Sequence, residues 1–349
     1  VKEKIMPQTK VLVTGAGGFI GHHLVTFLKK KGYWVRGVDI KLPEFTVRAA
    51  NTGGTPVRDG SETDADEFEL LDLRRWDNCL QATRGIDEVY GLAADMGGMG
   101  FISSHHSEIL HNNSLINTHT LEAARLNGVK RYFYTSSACV YPEYKQTDAN
   151  VVPLKEEDAY PAQPQDAYGW EKLVMERLCT HYREDYGLET RIVRFHNIFG
   201  EEGTWDGGRE KAPAALSRKV AVAKLTGNHE IEMWGDGEQT RSFCYIDDCL
   251  EGIYRLMRSD FASPLNLGSD RMVTINQLAG IIADIAGIKI TVKHIPGPQG
   301  VRGRNSDNSK LRQVLGWEPQ ISLEEGLART YPWIGQQVAR KLGVEAPKK

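Results

Sequence analysis

What the sequence has little of narrows it first. No apolar run approaches the roughly 20 residues that a membrane-spanning helix needs, so no membrane partner is expected. Neither sign of charge dominates: 43 lysines and arginines stand against 46 acidic residues, a formal net charge of -3. Nothing global draws such a chain to nucleic acid, although a local basic pocket stays open. Cysteine is scarce. Cys79, Cys139, Cys179, Cys244 and Cys249 show neither a CxxC metal pattern nor an even disulfide framework. They read as reduced thiols, most of them small buried hydrophobes, and no metal site is expected. The opening stretch VKEKIMPQTK lacks the apolar core of a signal peptide. A cytoplasmic location is the expectation.

Glycine, by contrast, is abundant and grouped. VLVTG reads as a short apolar strand, FIGHHLVTFLKK as a helix with apolar residues at helical spacing, and YWVRGVD as the next strand. Between the first strand and the helix stand Gly15, Gly18 and Gly21. Glycine at the first position permits a tight turn, at the second a close approach to a pyrophosphate, and at the third close helix–strand packing. The helix N-terminus then faces the phosphates. Asp39 ends the second strand, where a carboxylate suits the ribose hydroxyls and repels a 2′-phosphate. That favours NAD over NADP; the bland alternative has Asp39 merely opening a loop.

Strand and helix go on alternating. Residues 41–66 read as a long surface excursion, EFELLDL as a third strand ending in Asp72, within reach of an adenine amino group, and DEVYGLAA as a fourth leading into ADMGGMG. A long helix is expected over 105–127, and KRYFYTSSACVYP is a fifth strand running into Ser136, Ser137 and Cys139. The pattern predicts an α/β fold: a Rossmann-type, doubly wound parallel sheet with a smaller mixed α/β substrate domain after it. Ligands bind such sheets at the carboxyl ends of the strands, and Asp39, Asp72, 96–100 and 137–139 all fall there.

DAYGWEKLVMERLCTHYREDYG reads as a helix from Asp166 to Gly187. Tyr168 and Lys172, four apart, share one of its faces. Such a pair occurs by chance on many helices. Here it follows the strand that delivers Ser137, and serine, tyrosine and lysine together make a proton-transfer unit. A nearby ammonium and a positive nicotinamide ring are expected to pull the phenol below its usual value near 10.

TGAGGFIG, SSACVYP and YGWEK resemble the extended short-chain dehydrogenase/reductase family that modifies nucleotide sugars. AADMGGMGF, RFHNIFG, GGREKAPAA, MWGDGEQTRSF and GPQGVRGRNSDN narrow this to the GDP-mannose 3,5-epimerase branch over nearly the whole chain. The chain departs from plant members in a shorter C-terminal tail, a longer excursion after Asp39 and an expanded region around 221–230.

The resemblance implies an NAD-dependent isomerase acting on GDP-mannose, with GDP-L-galactose as product and GDP-L-gulose as side product. It implies Cys139 as base and Lys211 as acid; from the residues alone, Cys139 stays balanced against a buried structural thiol and Lys211 defaults to a solvated surface group. It further implies cofactor contacts at Phe19, Ile20, Leu73 and Ala93, and substrate contacts at Met96, Gly97, Ala138, Asn197, Glu210, Ala212, Gln239 and Thr240. The diphosphate needs cations, and Lys219, Arg241 and Arg304 are the choices, arginine because its fork grips phosphate oxygens in pairs.

Residues 1–195, with a returning segment near 241–262, are expected to bind NAD. Residues 196–240 and 263–335 are expected to bind the nucleotide sugar, with 336–349 as a tail. A homodimer is expected through the helices near 105–127 and 167–186, where Leu173, Val174, Leu178 and Tyr182 put apolar groups on more than one face. Three other readings stay open: GDP-fucose synthase (a GDP-4-keto-6-deoxymannose epimerase/reductase), a nucleotide-sugar 4-epimerase, and a non-catalytic NAD-binding regulator.

Overall fold

The computed structural model describes residues 8–45 and 63–345. Most of the expected excursion at 41–66, and the last four residues of the tail, lie outside the described residues. Seven strands form one parallel sheet: β1 (Lys10–Thr14), β2 (Trp34–Asp39), β3 (Glu67–Leu70), β4 (Glu88–Gly91), β5 (Arg131–Ser137), β6 (Glu189–Phe195) and β11 (Pro264–Leu267). Their order across the sheet is β11-β6-β5-β4-β1-β2-β3. The chain winds outward from β1 in one direction and then, from β4, in the other. The reversal between β1 and β4 opens the crevice in which such sheets bind ligands. The outermost strand, β11, comes from just beyond the returning segment expected near 241–262.

Alternation along each strand makes the sheet two-sided. Val11, Val13, Tyr90, Phe133 and Val193 pack on one face, with Leu24 and Leu28 of α1 (Phe19–Lys30). Leu12, Val89, Tyr132, Tyr134 and Ile192 pack on the other. That second face is covered by α2 (Trp76–Thr83), α4 (His106–Leu126) and α5 (Ala167–Tyr186), the last through Met175 and Cys179. Between α2 and α4 lies one short turn of helix, α3 (Met99–Ile102). The third strand stops at Leu70, before Asp72.

The ends of α5 follow from its sequence. The Asp166 side chain accepts from the Gly169 N–H at the N-cap, and Gly187 closes the helix with φ 71, a left-handed angle that glycine adopts without strain. The second lobe contains α6 (Ala212–Thr226), α8 (Ile275–Ala286) and α10 (Leu323–Leu342). It also holds the parallel pair β8 (Glu230–Trp234) and β13 (Thr291–Ile295), and the three-stranded β12-β9-β14 (272–274, 240–242 and 303–304). Its apolar residues, among them Leu216, Leu278 and Ile334, continue the core of the first face.

Candidate functional site

The turn after β1 is shaped by close backbone contacts. Gly15 has φ 73, and its N–H donates to the Val38 carbonyl at 2.8 Å. A Cβ on Gly21 would lie 2.0 Å from the Gly15 carbonyl oxygen, and one on Gly17 would lie 2.1 Å from that of Lys41. Gly17 was not singled out in the sequence, yet its crowding is as severe as that of Gly21. Gly18, the N-cap of α1, would bring a Cβ no nearer than 3.3 Å to any neighbour, and no side chain caps the helix there. The first N–H groups of α1 at Phe19 and Ile20 are thus presented without a side-chain partner, as an anion requires.

Asp39 closes this end. Its Oδ2 accepts from the Gly17 N–H at 2.9 Å and its Oδ1 from the Ile40 N–H at 2.6 Å. Burial raises its pKa, against the pull of those amides. Asp72 lies just beyond the end of β3. Arg74 grips its carboxylate through Nε and Nη2, at 2.9 and 2.8 Å, and holds its pKa down. Leu73 beside it is buried. The Ala93 N–H donates to the Thr14 hydroxyl at 3.1 Å, fixing the end of β4 against the glycine turn.

A cavity of about 440 Å³ opens at the carboxyl ends of β4, β5 and β6. It brings together Ile20, Met96, Gly97, Ser137, Ala138, Cys139, Tyr168, Lys172, Asn197, Glu210, Lys211, Ala212, Lys219, Gln239, Arg241 and Arg304. One expected substrate contact stands outside it. The Thr240 hydroxyl turns away to the Ala149 carbonyl, because β9 alternates and puts Arg241, not Thr240, toward the cavity.

Two further close glycine contacts and one left-handed residue explain how distant segments meet here. A Cβ on Gly169 would lie 2.2 Å from the Cys139 carbonyl oxygen. Only glycine lets α5 press on the turn 138–140, and this sets Tyr168 beside Ser137. A Cβ on Gly98 would lie 2.4 Å from the Glu210 carbonyl oxygen, and the Gly98 N–H donates to the Arg209 carbonyl at 3.0 Å. That contact carries the loop after β4 onto the segment that delivers Lys211. Asn197 stands in the left-handed region at φ 47 and donates from Nδ2 to the Ser242 carbonyl at 2.9 Å. A non-glycine residue there is strained, and such strain gathers at functional sites.

The side chains in the cavity are unequally satisfied. Burial pushes Tyr168 up, and the Ser137 hydroxyl opposes that. The lowered phenol expected from the sequence was for Tyr168 beside an ammonium and a nicotinamide ring; in the protein alone burial dominates, with Cys139, Glu171 and Asp166 adding to it. Lys172 Nζ lies 5.5 Å from the Tyr168 ring centroid and 3.8 Å from Glu171 Oε2. Burial lowers its pKa, with Glu171 opposing. A buried ammonium with no acceptor at hydrogen-bond distance among the described residues fits a ligand hydroxyl.

Lys211 is the N-cap of α6, and burial lowers it too, with Cys139 opposing. Glu210 turns inward, accepting from Arg218 Nη2 at 2.8 Å and from the Gly208 N–H at 2.7 Å. Arg304 Nη1 donates to Cys139 Sγ at 3.3 Å. Arg241 is lowered to about 9 by burial, with Arg304 adding to it. Lys219 donates to the Glu232 carbonyl at 2.5 Å. Gln239 Oε1 is buried without a partner among the described residues.

Close to the glycine turn, His22, His23 and Glu202 have potential ligand atoms within 4.8 Å of one another. They already form a hydrogen-bonded seat. His22 spans the Gly18 carbonyl and Glu202 Oε2, at 2.8 Å each, and His23 Nε2 meets the Glu201 carbonyl at 3.1 Å. The seat fastens the loop after β7 (Ile198–Phe199) to α1.

A glycine turn, an acid after β2 and a Ser–Tyr–Lys group at one sheet edge are the parts of a dinucleotide oxidoreductase site. The family model described as the NAD dependent epimerase/dehydratase family matches residues 11–268. The chain belongs to that family. It is 52% identical over 332 residues to a GDP-mannose 3,5-epimerase of Arabidopsis thaliana, covering 95% of this chain and 84% of the relative. Among solved structures, a UDP-glucose 4-epimerase of Thermotoga maritima with UDP-glucose superposes with a TM-score of 0.81 at 25% identity, over 95% of this chain and all of that one. A UDP-glucuronic acid 4-epimerase of Bacillus cereus, in complex with UDP-glucuronic acid and NAD, gives 0.77 at 26%, over 94% of this chain and all of that one. In this family frame the glycine turn, the uncapped N-terminus of α1, the Asp39 carboxylate and the buried Lys172 fit NAD.

Proposed function

We propose that the protein is an NAD-dependent GDP-mannose 3,5-epimerase. The observation that carries this reading is a single cavity holding two kinds of machinery. Ser137, Tyr168 and Lys172 form an oxidising group, and Cys139 and Lys211 form a separate proton-transfer pair. A 4-epimerase needs only the first. The second has a use when carbons beside a ketone must be inverted. The 52% identity to the Arabidopsis enzyme supports the same substrate.

Gly18, Asp39 and Lys172 would hold NAD, which would supply a hydride acceptor for carbon 4 of the sugar and the means to reduce it again. The Lys172 ammonium favours the Tyr168 phenolate, which takes the hydroxyl proton at carbon 4 while Ser137 holds the oxygen. A sugar C–H is too weak an acid for a protein base. The ketone at carbon 4 acidifies carbons 3 and 5. Cys139, at the end of β5, then takes a proton, and Lys211, at the start of α6, returns one at the other ring face. Its lowered pKa makes that ammonium readier to give a proton up. Positioned groups of this kind supply roughly 10²–10⁴-fold each. Arg241 and Lys219 supply the charge that the diphosphate needs. The Thr240 hydroxyl is engaged by the Ala149 carbonyl, and Glu210, at the cavity wall, fixes Arg218 and the 208–211 turn.

Two copies pair through α4 and α5. Trp170, Val174, Leu178, Tyr182 and Tyr186 recur at every fourth position of α5, and Val174 and Tyr186 are 61% and 58% exposed. Leu173 faces inward instead, at 3%. This stripe, with exposed Leu110 and Leu126 of α4, supports a four-helix contact. Light scattering at micromolar concentration should give twice the chain mass; a monomer mass would remove the pairing.

The test of the activity is NMR of sugars recovered after incubation with GDP-mannose. GDP-L-galactose and GDP-L-gulose are expected. Unchanged GDP-mannose, alongside conversion of GDP-4-keto-6-deoxymannose, would overturn the reading in favour of a GDP-fucose synthase.

A further inference from the structure

Behind Cys139 a buried amide holds the cation that faces the sulfur. Gln146 is 1% exposed. Its Oε1 accepts from Arg304 Nε at 2.6 Å, and its Nε2 donates to the carbonyls of Tyr141 at 3.0 Å and Pro142 at 3.2 Å. Its own carbonyl accepts from the N–H groups of Arg302 and Gly303, at 2.9 and 3.2 Å. Gln146 therefore fixes both the backbone that carries Arg304 and the plane of the guanidinium. Arg304 has no carboxylate partner among the described residues. What it has is Gln146 on one side and Cys139 Sγ, 3.3 Å from Nη1, on the other.

We propose that Gln146 is a positioning residue of the proton-transfer pair: it locks the Arg304 guanidinium against the Cys139 sulfur, so that the cation stabilises the thiolate that acts as base. This rests on the reading of Cys139 as that base. A neutral amide suits the task. A carboxylate at 146 would pair with Arg304 and cancel its charge, whereas an apolar side chain would leave Nε without its acceptor. The other groups that face the sulfur are Tyr168 and Lys172 from α5, Lys211 from the start of α6 and Arg241 from β9. Among the described residues only Arg304 donates to it within hydrogen-bond distance. Arg304 thus belongs with Cys139 as much as with the diphosphate, which Arg241 and Lys219 face without it.

The test is alkylation of Cys139 by iodoacetamide in the NAD-bound protein, followed by peptide mass. The other four cysteines are buried, so the half-buried Cys139 reports alone. Gln146→Leu should slow alkylation about tenfold at pH 7, the scale of one hydrogen bond to a charged group, and leave it unchanged near pH 9.5, where an ordinary thiol with pKa about 8.5 is ionised anyway. Gln146→Glu, which keeps an acceptor for Arg304, should slow it as well and stands in if the leucine variant fails to fold. Arg304→Gln should slow it equally, and the double variant Gln146→Leu/Arg304→Gln no further, because both changes act through one contact.

Alkylation as fast as wild type at pH 7 in either Gln146 variant would overturn the proposal. So would faster alkylation at both pH values, the mark of a loosened pocket, or full additivity in the double variant. Solvent deuterium uptake by Cys139→Ala separately tests the base reading. If that variant exchanges normally, the base reading fails, while the alkylation rates still decide whether Gln146 acts on the sulfur.

Discussion

The proposed oxidising group, Ser137, Tyr168 and Lys172, hangs from one strand end and one helix. The proposed proton-transfer pair instead joins Cys139 of that same strand end to Lys211 of the second lobe. The first half stands on a buried polar network. Glu176 accepts from the Ser136 hydroxyl at 2.5 Å and from Arg194 Nε at 2.8 Å, and Glu171 accepts from Asn117 at 2.6 Å. Breaking one partner of such a network leaves a buried charge uncompensated, so α5 is held rigidly to the sheet. The second half depends on the close approach of Gly98 to the 209–210 backbone and on the Gln146–Arg304 clamp. A site that must first oxidise and then invert is thus built with a fixed oxidising face and an acid–base face assembled across two lobes.

Removing the phenol should produce the largest effect. Tyr168→Phe is nearly isosteric and should fold normally, yet lose roughly 10²–10⁴-fold in every step, since no ketone forms without it. Cofactor reduction and epimer formation, followed together, should fall in parallel. A variant that still reduces cofactor near the wild-type rate would separate Tyr168 from the oxidising half.

The comparison is sharpened by Gly98→Ala. Its Cβ forces the 209–210 backbone away and displaces Lys211 while α5 stays in place. Deuterium uptake at carbons 3 and 5 should fall between about tenfold and 10²-fold, the scale of a misplaced catalytic group, with oxidation at carbon 4 little changed. Equal loss in both would mean that the halves are not independently held.

The smallest effect concerns acid. Burial lowers His23 to about 4 and His196 to about 3, from an ordinary value near 6.5. The unfolded chain binds protons at these groups where the folded protein does not. The stability they contribute is therefore complete above about pH 6.5 and is lost as pH falls toward 4 and 3. Thermal melting should show the midpoint dropping across that window, and His196→Gln should flatten the slope. A midpoint independent of pH between 6.5 and 4 would contradict this.

The parts legible in the sequence were those whose signal is local. Gly15 and Gly21 around one turn, Asp39 at a strand end, and Tyr168 with Lys172 on one helix face each follow from spacing within a single element. The alternation that makes the sheet parallel was legible for the same reason. Gly17, Gly98, Gly169 and Gln146 were not, because each acts through a backbone or side chain far along the chain, and nothing around Gly98 in the sequence announces Glu210. The same distance hid the Ala149 carbonyl that takes the Thr240 hydroxyl, whereas Glu210 does line the cavity and bonds its near neighbours Arg218 and Gly208. Asp72 likewise carried no sign of how closely Arg74 would hold it, although the two are only a turn apart. Cys139 and Lys211 were pointed out by resemblance. Spacing alone left one even with a packing role and the other a surface lysine, and the fold puts both in one cavity.

The most direct test of the two-half account is solvent deuterium in the sugar recovered from Cys139→Ala in heavy water with GDP-mannose, read by NMR at carbons 3 and 5 while reduced cofactor is followed by absorbance. The account predicts that reduced cofactor still appears and that deuterium uptake falls by at least roughly 10²-fold, the contribution of one base. Uptake at the wild-type rate would contradict it, and would leave Cys139 as packing beside Ser137.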